Sequence, residues 1–243
     1  MRIPRLYIDL SLSSGETVVL PRDKAHHLSH VLRMHTGAAI KLFNDTGYEF
    51  DATIIKLTKK SADVEIKQAC EIKNESPLNI VLCLAVARGQ HMDFSIQKAV
   101  ELGVNTIVPV MSEFSNVKLQ GERVQNKITH WKNIIISAAE QCGRNRLPQL
   151  LMPVSFSECL TTSFSKTRLI LHPGSQQAMP ALKPDNNQLS LLIGPEGGFS
   201  ETEVSQAIAN ETIPISLGPR ILRSETAVVC ALSNAQQLWG DLN

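Results

Sequence analysis

The chain has 243 residues, of which 43% are apolar and 19% charged, values that are ordinary for a globular protein. Its net charge of +1 gives no overall excess of the kind that marks many nucleic-acid-binding proteins, so any such contact must use a local basic surface. No apolar stretch approaches the roughly 18 residues of a membrane span, and the N-terminal sequence lacks the apolar segment of a signal peptide. We therefore expect a cytoplasmic protein with no membrane partner.

The N-terminal third of the chain is rich in short β patterns separated by glycine turns. The predicted strands are Arg5–Ile8, Thr17–Leu20, Ala39–Phe43, Tyr48–Leu57 and Ala62–Lys67. One helix, from about Asp23 to Arg33, interrupts them, and its apolar stripe is formed by Ala25, Leu28, Val31 and Leu32. These patterns predict a small β domain with one helix.

That helix also carries an unusual concentration of basic side chains. Seven of them fall within residues 22–35, where Asp23 is the single acidic residue: Arg22, Lys24, His26, His27, His30, Arg33 and His35. We call this set the basic segment. It is either a solvated face or a surface for RNA phosphates, and we favour RNA. His26 and His30 have the spacing of a metal pair, but no further ligand accompanies them, so no metal is predicted.

A polar stretch that ends at Pro77 separates two parts of the chain that differ in composition. It predicts two domains, residues 1–74 and residues 75–243. Beyond it, apolar strands alternate with helices. The predicted elements are a strand at Leu78–Ala87, a helix at Met92–Leu102, a strand at Thr106–Val110, a helix at Glu122–Gln141, and strands at Arg168–Leu171, Leu189–Ile193 and Ile213–Leu217. This alternation indicates an α/β domain with a parallel sheet.

A glycine-rich turn ends the strand that finishes at Ile193. Gly194, Gly197 and Gly198 surround Pro195 and Glu196, and Ser200 with Glu203 then forms the pattern of a capping box that opens a helix. Glycines allow a ligand to approach the main chain, although a tight connection alone explains many such turns. The turn holds no lysine or arginine and matches neither common phosphate-binding motif, so a nucleoside triphosphate is not expected.

A second turn supports the functional interpretation of the first. It runs from Leu217-Gly218-Pro219 through Arg220, Ile221, Leu222 and Arg223 to a helix that begins near Ser224. Loops that leave neighbouring parallel strands at their carboxyl ends meet at one edge of the sheet, where open α/β folds bind ligands. The two turns therefore predict one binding site.

The long helix at Glu122–Gln141 is followed by Gly143 as a C-cap and Pro148 beyond it, which predicts an exposed loop that carries Arg144 and Arg146. These arginines either complement the helix dipole or contact substrate phosphate or a second subunit. We favour the second alternative.

Taken together, these segments resemble the SPOUT class of S-adenosylmethionine-dependent RNA methyltransferases, and most closely its RsmE branch. The resemblance covers essentially the whole chain and is specific in combination. Its motifs here are Met1–Arg5, Val31–Met34, Arg88-Gly89, Gln97–Gly103, Glu140–Arg144 and the two turns. Gln90, His91 and Ser224 depart from the pattern without removing a group that the chemistry needs.

The resemblance implies an N-terminal PUA-like β-barrel for RNA, a C-terminal SPOUT domain with a trefoil knot, a homodimer, and methylation of uridine N3 in 16S rRNA of the small ribosomal subunit. It places S-adenosylmethionine against three loops. The implied cofactor residues are Leu171, His172, Pro173, Ile193, Gly194, Pro195, Glu196, Gly197, Gly198, Leu217, Gly218, Ile221, Leu222 and Thr226. The apolar members among them also suit ordinary core packing. The candidate RNA contacts are Arg2, Arg5, Arg22, Lys24, His30, Arg33, Arg144 and Arg146.

Uracil N3 carries a proton at neutral pH, so its methylation needs a base or a group that stabilises the anion. The candidate catalytic residues are Arg88, Arg220, Arg223, Glu196 and Glu225. We favour arginine stabilisation with a carboxylate that accepts the proton, but Glu225 alternatively serves the dipole of its helix. Two other functions stay open: a SPOUT methyltransferase for another RNA or base atom, and a non-catalytic RNA-binding assembly factor.

The C-terminal helix is apolar over a wider band than one core-facing stripe needs. Val228, Val229, Ala231, Leu232, Ala235, Leu238 and Trp239 form this band. We expect part of it to pack against a second subunit, through whichever of Val229, Gln236 and Trp239 faces outward.

Overall fold

The computed structural model describes residues 3–115 and 121–242, and it divides into two compact units. The first comprises Met1–Glu75 and Ala139–Leu147, and the second comprises Ser76–Ala138 and Pro148–Asn243. The predicted boundary after residue 74 placed residues 139–147 in the C-terminal domain, whereas in the structure they belong to the first unit. This segment joins the first unit because Arg5 and Asn74 hydrogen-bond to its carbonyl groups, with Asn74 Nδ2 2.8 Å from Gly143 O.

The first unit contains a five-stranded sheet in the order β1-β3-β4-β5-β2. Its strands are β1 Arg5–Tyr7, β2 Thr17–Leu20, β3 Ala39–Phe43, β4 Tyr48–Leu57 and β5 Ala62–Glu71. β1 pairs with β3 in parallel, and the other neighbours are antiparallel. Alternate residues of each strand, such as Ile40 with Leu42 and Val64 with Ile66, are buried in one core, as a period of two requires.

The predicted helix of this unit is shorter than expected and is partly a π-helix. Helix α1 covers Arg22–His26 and continues as a π-helical turn over His27–Val31. In this wider turn the Leu32 N–H donates to His27 O over five residues. The predicted apolar stripe is therefore only half right: Ala25 and Leu28 are buried, but Val31 is 61% exposed because the wider turn rotates it away.

The second unit is built on seven parallel strands in the order β12-β10-β11-β6-β7-β8, with β9 also beside β7. The strands are β6 Asn79–Ala85, β7 Thr106–Met111, β8 Gln149–Leu150, β9 Val154–Ser155, β10 Thr167–Leu171, β11 Gln188–Ile193 and β12 Ile213–Ile215. The helices are α2 Gly89–Glu101, α3 Glu122–Cys142, α4 Phe156–Thr161, α5 Glu201–Ala209 and α6 Ser224–Trp239, and the last four residues of α3 belong to the first unit. The predicted α/β class with a parallel sheet is confirmed.

Strand order positions the site. β10 lies between β12 and β11, and β6 is the next neighbour of β11. Because all four strands are parallel, the loops that leave their carboxyl ends share one edge of the sheet. Among the helices that the structure describes, none has the length and apolar character needed to cross a membrane.

Candidate active site

A cleft of about 280 Å³ lies where the loops after β10, β11 and β12 meet the start of α6. It is lined by Leu171, His172, Pro173, Ile193, Gly194, Pro195, Glu196, Gly197, Gly198, Ile215, Ser216, Leu217, Gly218, Arg220, Ile221, Leu222, Ser224 and Ala227. The three loops named from the sequence thus form one cleft. Thr226 is exposed in the first turn of α6 and lies outside this lining.

The glycine turn after β11 is tight on one side and open on the other. A Cβ on Gly194 would lie 3.1 Å from the backbone carbon of Gly198, so the two ends of the turn are packed together. Gly198 has φ +72°, its N–H donates to Pro195 O at 2.9 Å, and a Cβ there would meet nothing within 4 Å. The turn therefore presents bare main chain to open space, as a site for a ligand requires.

Ser224 ties the two turns together. Its Oγ donates to Gly194 O at 2.8 Å, which links the first residue of α6 to the turn after β11. Ser224 is buried, so this bond is protected from water. Sequence reasoning treated Ser224 only as a departure from the family pattern and missed this role, because its acceptor lies 30 residues away in the chain.

Charged side chains lie at the mouth of the cleft. Glu196 and Arg220 are both exposed and line it. Glu196 Oε1 accepts the backbone N–H of Arg88 at 3.3 Å, which brings the start of α2 beside the glycine turn. Arg88, Glu196 and Arg220 are thus gathered at one edge of the sheet, whereas the exposed Arg223 precedes α6 without lining the cleft.

Glu225 is held by a residue that sequence reasoning did not select. His91 Nδ1 lies 3.1 Å from Glu225 Oε1, so the first turn of α2 contacts the first turn of α6. The second oxygen, Oε2, is buried and has no hydrogen-bond partner among the described residues. A histidine three residues after Arg88 was visible in the sequence, but nothing there indicated a glutamate 134 positions later as its partner.

In the first unit, the basic segment keeps most of its predicted exposure. Arg22, His26, His30 and Arg33 are exposed, and the rings of His26 and His30 stack with their centroids 4.4 Å apart. Lys24 differs, because its Nζ lies 2.9 Å from Glu140 Oε1. Across residues 3–115 and 121–242, no three histidine, cysteine, aspartate or glutamate side chains gather as metal ligands.

Arg5 was expected to contact RNA, but its side chain is 7% exposed and is fully occupied inside the first unit. Its Nε donates to Glu49 Oε2 at 2.6 Å, and its Nη atoms donate to the carbonyl groups of Ala139, Glu140, Gly143 and Arg144 and to Asn145 Oδ1. The arginine thus caps the end of α3. A side chain held by so many acceptors is unavailable to a phosphate.

Arg144 is a second correction. The loop after α3 was expected to expose it, but Arg144 is buried and its Nη2 lies 2.5 Å from Glu75 Oε2. Arg146 is exposed as predicted, with Nη2 donating to Thr46 O at 3.1 Å. Arg2 lies outside the described residues. Of the candidate RNA contacts, Arg22, His30, Arg33 and Arg146 therefore remain exposed.

Comparison with known proteins decides the family. A profile of an RNA methyltransferase domain matches residues 74–236, and a profile of an RNA methyltransferase PUA domain matches residues 20–67. Ribosomal RNA small subunit methyltransferase E from Buchnera aphidicola subsp. Schizaphis graminum is 40% identical over 100% of this chain and 99% of its own length. The chain belongs to the RsmE family of ribosomal RNA methyltransferases.

Two solved methyltransferase structures match the whole chain. A putative methyltransferase from Legionella pneumophila, in complex with its bound cofactor SAM, has a TM-score of 0.96 and 39% identity, with 100% of both chains covered. The RsmE of Neisseria gonorrhoeae, bound to S-adenosyl methionine, has a TM-score of 0.93 and 38% identity, again over 100% of both chains. The fold is therefore of the SPOUT type with an N-terminal PUA-like domain.

The residues of the cleft fit S-adenosylmethionine. Leu171, Ile193, Leu217 and Leu222 offer apolar walls for an adenine ring. Ile221 is 86% exposed and lines the cleft, where a bound ligand would cover it. The carboxylate of Glu196 and the open backbone groups of the glycine turn suit a cofactor that is positively charged and carries no phosphate.

Proposed function

We propose that this protein transfers a methyl group from S-adenosylmethionine to N3 of a uridine in 16S rRNA of the small ribosomal subunit. The observation that carries the proposal is the single cleft formed by three loops of the parallel sheet, in a chain that matches SAM-bound relatives over its full length. The proposal includes a cytoplasmic location, where ribosomal RNA is found, and the trefoil knot that the family resemblance implies.

S-adenosylmethionine would supply an activated methyl group, so the chain itself must bind the cofactor, orient the uracil and accept one proton. The leucine and isoleucine walls would hold the adenine ring, and the main chain of Gly194 to Gly198 would approach the ligand. The hydrogen bond from Ser224 holds the turn after β11 against the start of α6, so these two walls of the cleft keep their relative position. Orientation of the two reactants in this way can lower the barrier of a group transfer by about 7–11 kcal/mol.

The charged groups at the mouth would act on the uracil. Arg220 lines the cleft and is free to reach an oxygen that gains charge as the N3 proton leaves, since it lies exposed at the edge of the second turn. Glu196 is an exposed carboxylate that lines the cleft and would accept that proton, while its contact with the Arg88 N–H holds its position. Arg88 and Arg223 would meet the rest of the RNA, and Glu225 would fix His91.

The basic segment would hold RNA phosphates through Arg22, His30 and Arg33. Phosphate contacts release counterions, so affinity for RNA falls as salt rises, with a log–log slope of about −0.7 per phosphate for single strands.

Charge reversal tests the basic segment. The double variant Arg22→Glu/Arg33→Glu should bind RNA at least about tenfold more weakly and flatten the salt slope by roughly 1.4, because two phosphate contacts are lost. The matched control is Lys59→Glu/Lys60→Glu, which makes the same charge change at two exposed residues of the same unit. Equal RNA affinities for both double variants in a salt series would show that the basic segment is only solvated.

The dimer would use the outer side of α6. Gln236, which was one candidate for this face, is instead buried and hydrogen-bonded to Leu102 O and Ser76 Oγ. Val229 and Trp239 are partly exposed, and Leu238 is 40% exposed. These apolar residues are suited to a two-fold contact in which the same helix faces its own copy.

Trp239→Asp is expected to give monomers with impaired methyl transfer, because each aspartate would meet its copy in a desolvated contact. Gln237→Asp is the control, since it places the same charge at an exposed position of the same helix. Light scattering beside a methyl-transfer assay measures both effects. A wild-type protein that is monomeric and fully active at assay concentration would contradict the proposed dimer.

Two other functions are distinguished by one experiment. A SPOUT enzyme could act on another RNA or another base atom, and an assembly factor would bind RNA without transfer. The test is nucleoside analysis of ribosomal RNA from a strain that lacks the gene. We expect the loss of 3-methyluridine from 16S rRNA and its return with a plasmid copy. Loss of a different methylated nucleoside would favour the first alternative, and an unchanged nucleoside profile the second.

A further inference from the structure

A second pocket, of about 500 Å³, lies wholly within the first unit. Its walls are the β3–β4 hairpin loop, the end of β5 and the segment after α3, and its lining includes Thr46, Gly47, Tyr48, Lys73 and Arg146. The volume lies within the roughly 300–1,000 Å³ that is typical of small-ligand sites. None of the groups assigned to methyl transfer or to the basic segment lies in it.

Hydrogen bonds hold the hairpin loop in place. Asp45 Oδ1 accepts the Leu147 N–H at 2.6 Å, and Thr46 O accepts from Arg146 Nη2 at 3.1 Å. On the other side, the Ile72 N–H donates to Gly47 O at 3.1 Å. The loop is thus bonded to both neighbouring walls, so the pocket is formed before any ligand arrives.

Gly47 makes room for the guanidinium group of Arg146. A Cβ on Gly47 would lie 3.2 Å from Nη2, 3.3 Å from Nε and 3.5 Å from Cζ of that arginine. Gly47 also has φ +88°, a conformation that side chains disfavour. The absence of a side chain therefore lets the guanidinium lie against the loop and form one wall of the pocket.

Tyr48 supplies an aromatic surface beside it. It is the first residue of β4, pairs with Glu71 on β5, and is 44% exposed. Aromatic rings and guanidinium planes are the two kinds of surface on which proteins stack the bases of unpaired RNA. Lys73 lies at the rim, with its side chain 82% exposed.

The two carboxylates of the pocket are matched by cations. Glu75 is bound by Arg144, with Nε 3.1 Å from Oε1 and Nη2 2.5 Å from Oε2. Glu71 Oε2 lies 3.7 Å from Lys73 Nζ. With both carboxylates paired, the one charge left over is that of Arg146, so the pocket attracts a ligand by stacking more than by long-range electrostatics. A base inside a duplex is already stacked and cannot enter such a pocket.

We propose that this pocket holds one unstacked base of single-stranded RNA, with Tyr48 and Arg146 as its stacking surfaces. The proposal rests on the proposed ribosomal RNA substrate and names a part of that RNA which the first unit would hold outside the methyl-transfer cleft. It makes stacking the main interaction here, in contrast to the phosphate contacts of the basic segment.

The test uses a short single-stranded RNA that carries 2-aminopurine, whose fluorescence falls when the base stacks. Tyr48→Ala should weaken binding about tenfold, in line with the effect of removing one stacking side chain, and should abolish the quenching. The salt slope should stay unchanged, because no phosphate contact is removed. Tyr48→Phe should behave as wild type. Ile55→Ala is the control, because Ile55 lies on the same strand with the same exposure of 44%.

Two results would contradict the proposed base pocket. One is equal RNA affinity and equal quenching in Tyr48→Ala and Ile55→Ala. The other is an equal loss of affinity for single-stranded and for duplex RNA in Tyr48→Ala. Methyl transfer to 16S rRNA by the wild type is measured in parallel. If the wild type is active and Tyr48→Ala binds RNA as well as wild type, only the proposal for the pocket is contradicted. If quenching depends on Tyr48 but the wild type transfers no methyl group, only the proposed function is contradicted.

Discussion

Replacing Gly198 with valine is expected to abolish S-adenosylmethionine binding while the fold survives. Gly198 has φ +72° and a Cβ there meets nothing within 4 Å, so the new side chain would project into the space beside the turn rather than into the core. A branched side chain in this conformation also costs about 1–3 kcal/mol of strain, which a folded domain can tolerate. Calorimetry with S-adenosylmethionine should show no measurable heat of binding.

The matched control for this variant is Gly15→Val. Gly15 has φ +86°, and a Cβ there also meets nothing within 4 Å, but it lies in the first unit and outside the cleft. Both variants should lose similar stability on heating, and only Gly198→Val should lose the cofactor. Undiminished affinity in a folded Gly198→Val protein would show that the glycine turn is not the cofactor site.

Arg5→Met is expected to lower the free energy of unfolding of the first unit by about 3–5 kcal/mol, the usual cost of removing one partner from a buried ion pair. The change leaves Glu49 with Lys41 as its remaining partner, and it removes one donor from each carbonyl group that Arg5 bonds at the end of α3, where Gly143 O keeps its bond from Asn74. Both tryptophans lie in the second unit, so amide hydrogen exchange in β3 and β4 is the suitable measurement. Exchange there should become more than about 100-fold faster.

Arg123→Met is the control, because Arg123 is exposed on α3 and its removal should leave exchange unchanged.

The pH dependence of stability is a second test of the ion pair between Arg5 and Glu49. Burial alone would raise the pKa of Glu49, but hydrogen bonds from Lys41 and Arg5 outweigh it and hold that pKa below its ordinary value of 4.5. The stability from ionised Glu49 is therefore present above pH 4.5 and is lost as the pH falls through the lowered pKa. Equal exchange in Arg5→Met and wild type at pH 7 would contradict this account of Arg5.

The parts of the fold that could be predicted are those with a strong local signal. The strands of β2, β3 and β4 and the start of α3 coincide with their predicted bounds, because alternation and apolar periodicity lie within the element itself. The capping box of Ser200 with Glu203 is present as predicted. The two-residue strands β8 and β9 were missed because so short a segment carries no period.

The candidate site divides in the same way. Glycine and proline mark the turns locally, so the three loops were found, and parallel strand order brought them together. Partners of charged residues are not local. The contacts of Arg5 with residues 139–145, of Arg144 with Glu75 and of His91 with Glu225 span 69 or more positions, and a sequence shows a charge without its partner. Two arginines were therefore assigned to RNA when they stabilise the first unit.

The central claim is methyl transfer to uridine N3, and one measurement tests it most directly. Purified protein is incubated with S-adenosylmethionine labelled in its methyl group and with small-subunit ribosomal RNA from a strain that lacks the gene. The RNA is then digested and its nucleosides are identified by mass, with Gly198→Val as the inactive control. We predict label in 3-methyluridine alone for wild type and none for the variant. Label in another nucleoside, or no label with active-site residues intact and cofactor bound, would contradict the account.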